Sequence, residues 1–199
     1  YPKSAKNLSD PAKQHRIYPY LLKNITAQHA NHIWGTDITY IRLQKGFAYL
    51  VALIDWFSRY VINWQLSESL DMSFCTQNLE RALKDAAPDI HNSDQGSHFT
   101  SHHYTDILMK KNIRISMDGR GRCMDNIFTE RLWRTVKYEN VYIKSYQNFP
   151  EAKSGLTDYF NFYNTQRPHQ SLGNRTPGVV YHSKTHAQCS LKIQSTNTI

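Results

Sequence analysis

Residues 33–66 read IWGTDITYIRLQKGFAYLVALIDWFSRYVINWQL, and this stretch decides the fold. Ile33–Ile41 is rich in β-branched and aromatic residues, and Gln44-Lys45-Gly46 marks a turn after it. Phe47–Asp55 is an almost unbroken apolar run, the pattern of a strand covered on both faces. Trp56-Phe57-Ser58-Arg59 then leads into a third strand over Tyr60–Leu66. Three consecutive strands with short connections predict an antiparallel meander.

Outward from the meander the period changes. Asp71 or Ser73 can cap a helix whose apolar side is Phe74, Leu79, Ala82, Leu83 and Ala86, and Pro88 ends it. Ile90–Ser93 is a short strand that delivers Asp94 at its C-terminal end. Ser101–Lys111 reads as a helix and Ile113–Met117 as a fifth strand. Met117–Cys123, with two glycines and two arginines, reads as a mobile loop. Asp125–Tyr138 and Glu151–Asn164 are two further helices. The order βββ-α-β-α-β-α-α predicts an α/β chain with a ribonuclease-H-like fold. Its mixed five-stranded sheet has three antiparallel strands, then two parallel ones, and is flanked by helices. Such a sheet brings Asp37 and Asp94 side by side at its ligand-binding edge. The core is expected over residues 32–181, after an extended basic linker (1–31) that contains Pro2, Pro11 and Pro19. A polar, disordered tail (182–199) is expected to follow. The chain opens at Tyr1, which suggests the tail end of a longer product.

A chain of 199 residues is long enough for one full core. It has no apolar run of the ~18 residues that span a membrane, and no signal peptide opens it, so no membrane role is expected. Cys75, Cys123 and Cys189 are scattered and form no C-x-x-C pair, which argues against a disulfide framework or a cysteine zinc site. A reducing cytoplasm is the expected setting. The net charge of +8 is concentrated. Residues 1–32 hold five Lys/Arg against Asp10, and residues 110–144 hold nine basic against four acidic groups. Charge distributed this way is a nucleic-acid footprint. Among ten histidines, His98 and His102 have i,i+4 spacing, but no second pair completes a tetrahedral site, so a solvated or DNA-facing cluster is favoured over zinc.

Three carboxylates stand in short, unusual contexts: Asp37 in W-G-T-D-I-T-Y, Asp94 in N-S-D-Q-G-S and Glu130 in D-N-I-F-T-E-R-L-W. Three acids converging from two strands and a helix are what holding a pair of Mg²⁺ ions against a scissile phosphate requires, which points to polynucleotidyl transfer. At ~100° per residue, Phe128, Leu132 and Val136 form one stripe of the helix. Asn126, Glu130, Arg134 and Lys137 form a polar strip on the opposite face. The plainer alternative is a solvated face with a Glu130–Arg134 ion pair, worth only ~0.3–0.5 kcal/mol. Asp55 reads as a turn cap, Asp125 as a helix cap, and Gln95 as part of the sharp turn beside Asp94. Arg167 and His169, past the end of the last helix, could contact phosphate or tie that helix to the core.

Five ordered motifs carry a resemblance: W-G-T-D-I-T-Y, Y-L-V-A-L-I-D-W-F-S-R, N-S-D-Q-G-S, D-N-I-F-T-E-R-L-W-R-T-V-K-Y-E and Y-N-T-Q-R-P-H-Q-S-L. From about Ile33 to Tyr181 the chain resembles the catalytic part of bacterial insertion-sequence transposases with a retroviral-integrase-like DDE core. The resemblance implies that Asp37, Asp94 and Glu130 are the catalytic, metal-binding triad, with two Mg²⁺ ions per site and Mn²⁺ as a substitute. It implies DNA contacts from Asn126, Arg134 and Lys137. Arg120, Arg122, Arg167 and His169 join them as DNA-binding candidates. The implied partners are transposon ends and target DNA, the implied assembly a dimer or higher multimer on DNA, and the implied location the bacterial cytoplasm, associated with the nucleoid. The implied reaction is hydrolysis at element ends followed by strand transfer. A catalytically silent DNA-binding remnant of a transposase is the alternative, and a nuclease on the same fold is a second.

Overall fold

The computed structural model describes residues 16–119 and 126–183. Strands β1 (Ile33–Arg42), β2 (Phe47–Asp55), β3 (Val61–Ser67), β4 (Ile90–Ser93) and β5 (Arg114–Met117) form one sheet in the order β3-β2-β1-β4-β5. The first three are antiparallel; β4 runs parallel to β1, and β5 parallel to β4. The five-stranded mixed sheet flanked by helices is the expected ribonuclease-H-like arrangement, and each strand lies within one residue of its expected ends.

Alternation along the strands divides the core in two. Ile33 and Ile41 of β1, with Ala48, Leu50, Ala52 and Ile54 of β2, face helices α4 (Ile127–Val136) and α6 (Phe149–Thr165). Trp34, Val51 and Leu53 face the other way, onto α1 (Met72–Ala82) and α3 (His102–Lys110). With Leu50 through Ile54 at most 1% exposed, β2 is covered on both faces, as its unbroken apolar run predicts.

The helices depart more from expectation. The segment expected as one helix from Ser101 is preceded by a separate turn, α2 (Ser97–Thr100), and Ser101 caps α3 by accepting from the Tyr104 N–H. Asp71 holds the N-cap position of α1 with no side-chain hydrogen bond, and α1 stops at Ala82. Helix α4 does not end near Tyr138. It passes through a wide π-turn (Lys137–Val141) into α5 (Tyr142–Lys144). Beyond α6 lie a 3₁₀ turn (Gln170–Leu172) and α7 (Pro177–His182), neither of which the sequence reading foresees.

Residues 16–32 contain no helix or strand, yet they are not loose from the body. Leu22 is buried in the core, the Leu21 N–H donates to Ser116 Oγ at 3.0 Å, and the Tyr181 hydroxyl from α7 donates to Asn31 Oδ1 at 2.8 Å. Arg120, Arg122, Asp125, Cys123 and Cys189 lie outside the described residues, as does most of the expected tail.

Candidate active site

Asp37 sits in the middle of β1, the central strand, on the face that looks toward α4. Trp34 pairs with His91 and Gly35 with Asn92 across the β1–β4 ladder. Two residues further along each strand come Asp37 and Asp94, so the parallel register carries the two carboxylates to the same edge. β4 ends at Ser93, which leaves Asp94 exposed just past the strand. There the Asp94 Oδ1 accepts the Gly96 N–H at 2.9 Å. A Cβ on Gly96 would stand 2.9 Å from that oxygen, so a larger residue would shift the carboxylate from this position. The amide of Gln95 donates to the Asp118 carbonyl at 2.8 Å, and Asn92 Nδ2 donates to Asp118 Oδ1 at 2.8 Å. These bonds tie the turn to the end of β5.

Glu130 arrives from above on α4, and two clamps fix that helix to β1. At its N-terminus Asn126 Nδ2 donates to the Thr36 carbonyl at 3.1 Å, while Asn126 Oδ1 accepts from Thr129 Oγ1 at 2.6 Å. One turn past Glu130 the Trp133 indole N–H donates to Asp37 Oδ2 at 3.0 Å. Gly35 is the seat for the first clamp. A Cβ there would collide with the Trp56 indole and crowd Asn126 Oδ1 and Thr129 Oγ1 at 3.0 Å. Thr129, Leu132, Trp133 and Val136 are buried, and Glu130 and Arg134 face solvent.

The electrostatics follow from this packing. Removal from water pushes the Asp37 carboxyl up to about 6, and the charges of Asp94 and Glu130 push it the same way. The Trp133 indole and the Ile38 backbone N–H pull it back down. No cation enters that balance. A half-buried carboxylate facing two others with no basic neighbour is a donor set of hard oxygens short of positive charge, which is what a divalent cation such as Mg²⁺ fits. As the side chains lie, no three Asp, Glu, His or Cys groups among the described residues are gathered closely enough to hold an ion outright. Asp94 and Glu130 are both exposed.

The remaining candidates divide. Arg134 is exposed, Lys137 is half-buried at the start of the π-turn, and neither forms an ion pair among the described residues. Asn126 is 5% exposed and its amide is spent on the clamp, so it faces β1 and not solvent. Arg167 grips Glu139 through two nitrogens, with Nε–Oε2 at 2.7 Å. Glu139 also accepts from the Tyr159 hydroxyl at 3.0 Å. This cluster joins the π-turn to α6 and the loop beyond it. Burial, then the nearby arginines, push His169 down to about 4. Asn164 bonds both the N–H and the C=O of Val61 at 2.9 Å, completing the edge of β3. Asp55 is fully buried and accepts from the Ser58 N–H and hydroxyl and from the Asn31 N–H, so it organises the β2–β3 turn. His98 Nε2 lies 3.1 Å from the Leu70 carbonyl. Sequence reasoning missed Trp133, Gly35 and Glu139. Trp133 lies beside the apolar stripe and reads as packing, although a tryptophan bordering a polar strip is itself a hint that its N–H has a partner.

Two family models, both described as an integrase core domain, match residues 27–123 and 111–177. The fold is that of integrase catalytic cores. A chain in the cryo-EM structure of a simian T-cell lymphotropic virus intasome bound to the PP2A regulatory subunit B56 gamma superposes with a TM-score of 0.71 at 20% identity, covering 87% of this chain and 62% of that one. The dimeric HTLV-2 integrase catalytic core domain in complex with magnesium superposes with a TM-score of 0.63 at 20% identity, covering 77% of this chain and 98% of that one. At such identity the likeness speaks for the fold alone.

Sequence relatives narrow the class. An uncharacterized transposase-like protein of Haemophilus influenzae is 30% identical over 160 residues, covering 79% of this chain and 74% of its own length. The putative transposase InsK for insertion sequence element IS150 of Escherichia coli (strain K12) is 32% identical over 169 residues, covering 83% and 59%. An uncharacterized 31 kDa protein of insertion element IS600 from Shigella sonnei is 32% identical over 175 residues, covering 85% and 64%. The chain belongs to the family of bacterial insertion-sequence transposases with an integrase core. It spans 64% of the IS600 protein and 59% of InsK.

Proposed function

We propose that this chain is the catalytic part of a DNA transposase, a DDE-type polynucleotidyl transferase that hydrolyses a phosphodiester at an element end and then joins that end to target DNA. The observation that carries the reading is the convergence on Asp37: Asp94 reaches it through the β1–β4 register, and Glu130 through a helix clamped to it by Trp133. Asp37, Asp94 and Glu130 would hold two Mg²⁺ ions, with Mn²⁺ as a substitute. Bound there, such ions supply charge neutralisation at the attacking and leaving oxygens of an in-line displacement. Trp133 fixes one oxygen of Asp37, and the Gly96 N–H holds one oxygen of Asp94. The exposed guanidinium of Arg134 and the ammonium of Lys137 lie one and two turns beyond Glu130, within reach of phosphates flanking a scissile bond.

On this reading residues 32–181 are the catalytic unit and residues 1–31 and 182–199 flank it. Element ends and target DNA are the partners, and bringing two ends together requires at least a dimer on DNA. The setting is the bacterial cytoplasm at the nucleoid. Among the described residues no helix is long and apolar enough to cross a membrane.

The test is strand transfer from a pre-nicked duplex carrying the end of the encoding element, with Mg²⁺ or Mn²⁺, for the native chain and Glu130→Gln. Joining that needs metal, and is lost in the variant while DNA binding is kept, is the expected outcome. DNA binding by both proteins without joining by either would make the chain inert by itself, as a silent remnant or for want of the rest of a longer protein.

A further inference from the structure

The solvent face of α4 does not end with the acid it carries. Glu130, Arg134, Tyr138 and Tyr142 follow one another at spacings of four, and all four are exposed. Tyr138 is 65% and Tyr142 56% exposed, a large share for aromatic side chains. Their rings meet edge-on with centroids 5.3 Å apart, and the Arg134 guanidinium lies 5.9 Å from the Tyr138 ring. The π-turn sets this alignment. A row with steps of four drifts around a regular α-helix by about 40° per step. The wider turn over Lys137–Val141 holds back that drift where Tyr142 would otherwise leave the row.

The surroundings say what would cover the ridge. Arg131 and Arg134 border it and form no ion pair among the described residues. They line a 510 Å³ cleft shared with Tyr138, Gln170 and Ser171. Aromatic faces interleaved with unpaired cations suit a nucleic-acid strand. A duplex hides the faces of its bases within the stack except at its terminal pair, and along a strand an unpaired base offers its face to a tyrosine.

We propose that Tyr138 and Tyr142 form a stacking ridge for unpaired nucleotides of the DNA end, held there while Arg131 and Arg134 contact the adjoining phosphates. The proposal rests on the DNA-joining reading and adds to it a ligand of defined chemistry, a short single-stranded extension next to the scissile phosphate. Tyr138 stands eight residues, about two turns, beyond Glu130 with Arg134 between them, so a strand lying along the ridge leads back to the carboxylates.

The experiment is a binding titration of the 199-residue chain against two duplexes of equal length, one blunt and one with a short overhang carrying 2-aminopurine, whose fluorescence falls on stacking. The native chain is expected to prefer the overhang and to quench its probe. Tyr138→Ala and Tyr142→Ala are each expected to weaken overhang binding by roughly tenfold, the usual worth of one base–aromatic stack. Both should leave blunt-duplex binding and melting temperature unchanged, and Tyr138→Phe and Tyr142→Phe should keep the preference. Equal native binding of both duplexes, with the alanine variants unaltered, would sink the ridge and leave the transposase reading standing. No binding of either duplex would overturn the ridge together with the DNA-joining reading of this chain by itself, and leave the family membership standing. Self-association lost in the alanine variants, with overhang binding intact, would assign the ridge to a second copy of the chain and overturn the proposal.

Discussion

The indole of Trp133 is packed under α4 at 6% exposure, and its N–H ends on a carboxylate of the candidate triad. Trp133→Phe keeps most of that packing and deletes only the donor. The expected result is an Mg²⁺ requirement for strand joining raised about tenfold or more, the usual cost of losing a partner that orients a metal-binding group. The melting temperature should move little, and an unchanged Mg²⁺ titration would show that Asp37 needs no such support. Gly35 is a different case, because its role is an absence. Gly35→Ala forces the Trp56 ring and the Asn126–Thr129 pair away from β1. It should cost about 1–3 kcal/mol by denaturant unfolding, as overpacking does. The contexts of Asp37, Asp94 and Glu130 could be read from the sequence as chemistry. Trp133 and Asn126 could not, because a periodic pattern reports which face a residue is on, not which atom its polar group will meet.

At the scale of elements, the strands follow their patterns closely and the helices do not. A strand declares itself by β-branched residues and turn punctuation within a few positions. The extension of α4 hides its signal in spacing. Leu132 and Val136 are four apart, but Val141, the next buried apolar residue, is five further on. In a regular α-helix that step would rotate Val141 by about 140° away from Val136. The π-turn absorbs the extra residue and returns it to the core, and it also points Glu139 at Arg167 and Tyr159. Because Glu139 and Arg167 are partly open to water, that pair itself adds only about 0–1 kcal/mol. The Asn164 amide counts for more, since it stands in for a missing strand beside Val61, which is 3% exposed. Asn164→Ala leaves that backbone N–H and C=O unpaired and should destabilise the fold by about 1–3 kcal/mol in denaturant unfolding. A change within 0.3 kcal/mol would mean that water replaces the amide.

Two histidines, one in the core and one half-buried beyond α6, give the whole molecule a pH dependence. His91, fully buried on β4, is pushed down to about 3 by burial, and His169 to about 4 by burial and nearby arginines. Both are neutral in the folded chain and take up protons near pH 6.5 once unfolded. At these two sites the unfolded state therefore binds more protons as pH falls from about 6.5 toward 4, and their contribution to folding stability falls with it, while Asp37, held at about 6 in the fold, works in the opposite direction. The slope is at most about 1.4 kcal/mol per pH unit for each histidine. His169→Gln should flatten the fall in a series of unfolding curves from pH 7 to 5, and a series parallel to the native one would show that His169 titrates alike in both states. Read alone, the sequence determined the five strands and singled out the three carboxylates as candidates, because β-patterning, turn residues and unusual acidic contexts are local properties of the chain. Only the tertiary structure decided which groups hold those carboxylates, that Asn126 turns inward, and that the helix of Glu130 runs on through a π-turn. Those outcomes depend on close contact between residues such as Asp37 and Trp133, 96 positions apart, whose meeting no local pattern encodes.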